Sequence, residues 1–129
     1  MASTTADRFI RALQQVEETG DVEPLAELFA DDAEISNLAV IEPLRGYAGA
    51  REFWKEYLHA FDHIHSQFTR IIEHDGEIVL EWKSEGALRN GCPIDYCGVS
   101  ILETADGRVR RFRSYYDTAA FLKPLPCGA

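Results

Sequence analysis

The sequence predicts an α+β fold in which a helical first half packs on a strongly bent antiparallel sheet built by the second half. Three observations predict it. Apolar residues recur at helical spacing up to about residue 61, and three turn signals then cut the chain into runs of roughly ten residues. Within those runs, apolar and charged side chains alternate. Helices gathered first and strands gathered after are the pattern of a segregated α+β arrangement.

Phe9, Leu13 and Val16, with Ile10 and Ala12 beside them, place an apolar stripe on a helix over about residues 5–18, which Thr19-Gly20 ends. Asp21 is expected to cap a short second helix, with Pro24 in its first turn and Leu25, Leu28 and Phe29 turned inward. Asp31-Asp32 closes that helix, residues 33–38 form a short strand, and residues 42–49, with Pro43, Gly46 and Gly49, form a loop. A third helix over about residues 50–61 aligns Phe53, Trp54, Tyr57, Leu58 and Phe61 on one face.

Asp75-Gly76, Asn90-Gly91 and Asp106-Gly107 are hairpin signals, and they imply strands over about residues 64–74, 77–89, 92–104 and 108–117. In the second of these, Ile78, Leu80, Trp82 and Ser84 share the inward face, opposite Glu81, Lys83 and Glu85. In the last, Phe112, Ser114 and Tyr116 point inward and Arg111, Arg113, Tyr115 and Asp117 outward. Ile35 and Asn37 share a face of the first strand.

A chain of 129 residues, 46% of them hydrophobic, suits a single domain with a core large enough to enclose a small ligand. Its 13 basic and 22 acidic side chains give a net charge of −9, which disfavours nucleic acid and anionic membranes as partners. No apolar run suits a spanning helix and the first residues lack the features of a signal peptide, so a cytoplasmic domain is expected. Arg108, Arg110, Arg111 and Arg113 read as a solvated strand face or a subunit contact rather than an anion grip. Cys92, Cys97 and Cys127 are too few and too irregularly spaced for a metal site or a disulfide framework, and reduced thiols are expected. With no nucleotide loop, metal-ligand spacing or flavin motif, no cofactor is expected.

Four short stretches resemble the nuclear transport factor 2-like superfamily. They are Gly20-Asp21, Leu28-Phe29-Ala30-Asp31-Asp32-Ala33, Glu42-Pro43-Leu44-Arg45-Gly46 and Arg51-Glu52-Phe53-Trp54. The closing Asp106-Gly107-Arg108-Val109 with Tyr115-Tyr116-Asp117 looks like the SnoaL-like branch, which includes polyketide cyclases. Ketosteroid isomerases and limonene-epoxide hydrolases are cousins. The resemblance spans about residues 6–121, leaves 122–129 as a tail, and implies a cone-shaped fold of three helices on the bent sheet around an apolar pocket.

Carried over residue by residue, the resemblance removes most of the relatives' machinery. The isomerase base falls at Asn37, its tyrosine at Leu13 and its protonated aspartate near Val99. The hydrolase keeps an asparagine at Asn37, but its charged residues fall at Trp82, Ser84 and Ser114. The cyclase aspartate falls near Ser114, with Asp117 as the alternative.

The expected pocket therefore holds no carboxylate. Its polar groups are Asn37, Tyr57, Ser84, Tyr96, Ser114 and Tyr116, joined by a histidine from His63-Ile64-His65, the side chain type that titrates near neutrality. His63 is the expected proton shuttle, with Tyr116 and Asn37 orienting the substrate. Trp54, Tyr57, Phe61, Trp82, Ser84, Tyr96, Phe112 and Ser114 are the expected substrate-binding residues. Asp117 reads first as the cap of a closing helical turn. The function expected is that of a cofactor-free isomerase, cyclase or hydrolase/lyase on an apolar substrate, or alternatively a noncatalytic binder of a hydrophobic metabolite. A homodimer through the outer sheet face, near Val79, Val99, Ile101 and Tyr115, is expected as well.

Overall fold

Thr4 opens the first helix with a reciprocal cap. Its hydroxyl accepts the Asp7 N–H while the Asp7 carboxylate accepts the Thr4 N–H. The computed structural model describes residues 4–37 and 42–122. Leu38, Cys127 and the rest of the expected tail beyond Leu122 lie outside the described residues. Helix α1 (Thr5–Thr19) buries Ala6, Phe9, Ala12, Leu13 and Val16, the stripe its spacing predicts, and stops at Gly20.

Helix α2 (Glu23–Ala26) starts from Val22, which offers no side-chain cap; the Asp21 carboxylate instead accepts the Glu23 N–H. The expected cap is thus displaced by one residue. Asp31 and Asp32 do not end this helix. They lie in strand β1 (Phe29–Asn37), where Phe29, Ala33 and Ile35 turn into the core and the two aspartates face solvent. The expected loop before the third helix holds a two-residue strand, β2 (Leu44–Arg45), and the first turn of α3 (Gly46–His59). Phe61 lies beyond that helix and opens β3 (Phe61–His74).

Strands β4 (Glu77–Leu88), β5 (Pro93–Ala105) and β6 (Arg108–Tyr116) complete the sheet, and α4 (Ala119–Leu122) follows. Leu122 therefore ends a helical turn rather than beginning a tail. The strand order is β2-β1-β6-β5-β4-β3. The hairpin-linked pairs are antiparallel as expected, and so is β1 with β2, while β1 and β6 run parallel. The helical half delivers β1 alongside the last strand of the meander, and the two run the same way.

The turns at Asp75-Gly76 and Asp106-Gly107 carry positive φ at both central residues, the conformation that matches the twist of a hairpin. Irregularities between Phe61 and His63, Phe68 and Arg70, and Glu103 and Thr104 bend the strands. Gly86 makes the first of these possible: a Cβ there would collide with the His63 carbonyl oxygen. The six-stranded sheet curls around the helices without closing.

Alternation along β4 puts Ile78, Leu80, Trp82 and Ser84 inside and Glu81, Lys83 and Glu85 outside. Ile78 and Leu80 pack with Phe9, Phe29, Phe53 and Trp54 in the main core. Trp82 joins Phe61, Ile64, Ile94 and Tyr96 in a second cluster, to which Tyr57 and Tyr116 add their rings. On the outer face Arg111 pairs with Glu34 and Glu103, Arg113 with Glu103, and Arg110 with Asp32, all within the chain. Tyr115 is exposed there and Val79, Val99 and Ile101 are half-buried. Cys97 is a free thiol, whereas Cys92 is disulfide-bonded, which corrects the expectation of reduced thiols. No described helix is long and apolar enough to cross a membrane.

Candidate functional site

Between α1, α3 and the concave face of the sheet lies a cavity of about 420 Å³. The periodicities that bury the core also build this space. Helix α3 turns Phe53, Trp54 and Tyr57 toward it, and Leu13 reaches it from α1. The sheet supplies Phe61, Ser66 and Phe68 from β3, Trp82 and Ser84 from β4, Tyr96 and Ser100 from β5, and Phe112, Ser114 and Tyr116 from β6. Asn37 closes one side from β1 and Phe121 another from α4.

Two hydrogen-bonded systems run along its walls. On the first, the Glu17 carboxylate accepts the Tyr57 hydroxyl at 2.6 Å, the Ser66 hydroxyl at 2.6 Å and the Ser66 N–H at 2.8 Å. The Ser66 and Ser84 hydroxyls lie 2.6 Å apart. On the second, the Trp82 indole N–H donates to Ser100 Oγ at 3.0 Å, and Ser100 and Ser114 hydroxyls lie 3.0 Å apart. Placing hydroxyls on consecutive inward positions of adjacent strands satisfies each one without water, as burial requires. Trp54 Nε1 is the exception: it is buried at the cavity wall and has no hydrogen-bond partner.

Three phenols face this space, and each is held in its neutral form. Burial, the largest cause, pushes Tyr57 well above the ordinary tyrosine value, and the nearby Tyr96 and Glu17 raise it further. Burial likewise raises Tyr96 strongly, with Tyr116 and Glu17 adding to the shift and the Tyr57 and Ser84 hydroxyls opposing it. Tyr116 is raised by burial. At neutral pH each retains the proton with which it can donate a hydrogen bond.

The side chains expected to bind substrate, namely Trp54, Tyr57, Phe61, Trp82, Ser84, Tyr96, Phe112 and Ser114, all line the cavity, as do Asn37 and Tyr116. His63 does not. Its side chain is 69% exposed and its Nδ1 lies 3.2 Å from the Asp62 carboxylate. Inward positions at this end of β3 are Phe61, Ile64 and Ser66, because the irregularity after Phe61 shifts the alternation and turns His63 to solvent. His65 lies on the outer face opposite Glu85, in a polar groove with Lys83, Asp95 and Cys97. The expected pocket histidine is thereby corrected. Asp117 borders the same outer groove, and its carboxylate accepts the Ala119 N–H in the manner of a cap.

The expectation of a cavity free of carboxylates is corrected too. Glu52 and Glu56, exposed on α3, line its mouth, and Glu17 stands directly behind Tyr57 and Ser66. A signal for Glu17 exists in the sequence. Phe9, Leu13 and Glu17 are spaced by four, so the carboxylate continues one line of the apolar stripe. Among the described residues, no group of three or more His, Cys, Asp or Glu side chains is placed to hold a metal ion.

Comparison with known proteins gives the same fold by an independent route. TerC, crystallised with polyporic acid, superposes with a TM-score of 0.78 at 19% identity, covering 93% of this chain and 97% of TerC. A ketosteroid isomerase-like protein from Catenulispora acidiphila, in complex with trimethylamine, gives 0.75 at 16% identity over 89% and 88% of the two chains. An LEH-like epoxide hydrolase of M. tuberculosis gives 0.71 at 17% identity over 92% and 87%. No curated protein matches the sequence. At these identities the structural likeness speaks to the fold alone. The profile of the SnoaL-like domain, however, matches residues 6–112, most of the helices and all but the end of the sheet, and the chain belongs to that family.

Proposed function

We propose that this protein takes an apolar, carbonyl-bearing small molecule into the cavity and converts it without a cofactor, as an isomerase, cyclase or hydrolase/lyase. One observation carries the reading: the phenols of Tyr96 and Tyr116, their rings 5.9 Å apart, both line the aromatic cavity, and burial raises the pKa of each above its ordinary value. A carbonyl oxygen held between them accepts their hydrogen bonds. When a proton leaves the adjacent carbon, the electron pair moves onto that oxygen, and the enolate is stabilised where its charge develops. Glu52 and Glu56 at the mouth are the carboxylates able to take the proton. Its return at another carbon isomerises the substrate; attack of the enolate on a second carbonyl closes a ring. Asn37 orients the substrate from β1. Neighbours crystallised with polyporic acid and with trimethylamine support a small-molecule site.

The test uses 2-tetralone, a flat enolisable ketone, in deuterated buffer. The protein is expected to accelerate deuterium uptake beside the carbonyl, and Tyr96→Phe to lose roughly 10²–10³-fold of that rate, the loss typical of one oxyanion donor. Binding without accelerated exchange favours the second reading, a noncatalytic carrier. The exposure of both mouth carboxylates, and a lining that holds no histidine, lysine or arginine among the described residues, favour that reading.

The outer face supports a homodimer as the working form. Exposed Tyr115 beside half-buried Val79, Val99 and Ile101 offers an apolar surface, with arginine–glutamate pairs around it. Light scattering is expected to give twice the 14.6 kDa chain mass, and a monomer at every concentration refutes the dimer.

A further inference from the structure

We propose that the α1–β3 wall of the cavity is a subsite for a protonated amine on the apolar ligand. The inference rests on the cavity reading above and adds the charge of the ligand at the wall where Glu17 stands.

Direction in the hydrogen bonds carries the argument. Tyr57 and Ser66 both line the cavity, yet both hydroxyl protons are committed to the Glu17 carboxylate behind them, at 2.6 Å each. The third donor to that carboxylate is the Ser66 N–H. Since Ser66 spends its proton on Glu17, the 2.6 Å contact with Ser84 is one in which Ser84 donates and Ser66 accepts. What this wall presents to the cavity is therefore oxygen lone pairs, backed by a carboxylate and polarised by it. An anionic ligand group there meets lone pairs and like charge. A carbonyl finds no free proton. An ammonium, with three donors and no acceptor, matches both the hydrogen bonding and the charge.

The surroundings favour the same sign. Among the described residues no lysine, arginine or histidine lines the cavity, and Glu52 and Glu56 sit at its mouth. Trp54, Tyr57 and Phe61 pack edge to face in sequence along this side, so a cation there also lies close to aromatic rings. Tyr96 and Tyr116, farther along the same curved sheet on β5 and β6, remain the donors for a carbonyl. The cavity is thus polar in two opposite senses, and its ligand is an apolar molecule with a basic nitrogen at one end.

Three probes of one shape test this: 2-naphthylmethylammonium, 2-naphthalenemethanol and 2-naphthoate, titrated by calorimetry at neutral pH. The ammonium is expected to bind about tenfold more tightly than the alcohol, equivalent to ~1.4 kcal/mol, and the carboxylate more weakly than either. Glu17→Gln, in which the amide oxygen still accepts the Ser66 N–H, is expected to bring ammonium and alcohol within about threefold of one another. Should that variant fail to fold, the ranking on the unaltered protein decides. Equal or tighter binding of the alcohol or the carboxylate overturns the amine subsite while leaving the cavity reading intact. Binding of none of the three overturns both. An ammonium preference that survives unchanged in folded Glu17→Gln also refutes the assignment to this wall.

Discussion

The two hydrophobic clusters of this protein solve different problems with the same sheet. The larger one, under α1 and the start of β4, is filled by Phe9, Val16, Leu25, Phe29, Ile35, Ile78, Leu80 and Leu102, each at most 1% exposed. The other, toward α4, is built from Phe61, Trp82, Tyr96, Tyr116 and Phe121, with hydroxyls and an indole N–H among the rings. In the first, aliphatic side chains interdigitate with the rings of Phe9, Phe29, Phe53, Trp54 and Phe112. In the second, rings such as Trp82 and Tyr96, edge to face at 5.3 Å and 84°, stand beside the cavity with polar atoms among them. The strand that crosses both, β4, changes from Ile78 and Leu80 to Trp82 and Ser84 at the boundary. The cavity opens where packing is incomplete.

If that division is real, a core truncation and a cavity truncation must differ in kind. Leu80→Ala removes a fully buried side chain from the filled cluster, and about 2–5 kcal/mol of stability is expected to go with it. Tyr96→Phe removes only an oxygen beside an existing space, so its cost in stability is expected below about 1.5 kcal/mol, that of one hydrogen bond. Urea denaturation of both variants checks the ratio. Similar losses in the two would mean that the cavity end is packed as tightly as the core.

Alkaline pH sharpens the comparison, because only the cavity end buries phenols. Tyr57, Tyr96 and Tyr116 are all raised above the ordinary value, chiefly by burial. A phenol becomes charged when it loses its proton, so a raised value means the folded chain keeps protons that the unfolded chain has released. Folding is then undiminished below about pH 10, the unfolded tyrosine value, and weakens as pH rises past it. Denaturation midpoints measured across this range are expected to fall more shallowly in Tyr96→Phe than in the parent. An unchanged slope would show that burial of this phenol does not limit alkaline stability.

The same contrast explains how far the sequence could be read. Alternation placed Ile78, Leu80, Trp82 and Ser84 on one face of β4, and helical spacing set Trp54 and Tyr57 against them, because both periods report burial directly. Polar members of the site are a different matter. His63 titrates in the useful range, but a one-residue irregularity next to Gly86 turned it outward, and no composition or spacing announces such a shift. Glu17 reads as solvated, because a charged residue at the margin of an amphipathic helix ordinarily meets water. Here the sheet curls far enough for Ser66 to meet it. The parallel pairing of β1 with β6 was equally hidden, since it joins segments more than seventy positions apart and leaves no local mark.

The smallest expected effect concerns Asp117, the carboxylate just beyond β6 that borders the outer groove rather than the cavity. Its Oδ1 accepts the Ala119 N–H at 3.1 Å and its carbonyl accepts the Ala120 N–H, both of which serve the start of α4. Asparagine caps a helix about as well as aspartate. Asp117→Asn is therefore expected to change stability by less than about 0.5 kcal/mol, the range of a surface substitution, and to leave tetralone exchange and naphthyl-ammonium binding where they were. Asp117→Ala, which removes the acceptor, is expected to cost about 0.5–2 kcal/mol, the usual loss at a cap, and to loosen the turn that brings Phe121 against Phe61 and Tyr96 at 6.0 and 4.9 Å. The pair of variants separates two roles that a single one would confuse. A cap tolerates the amide and not the methyl, while an acid–base group tolerates neither. Exchange abolished in Asp117→Asn with folding intact would move the chemistry from the Tyr96 wall to the strand end.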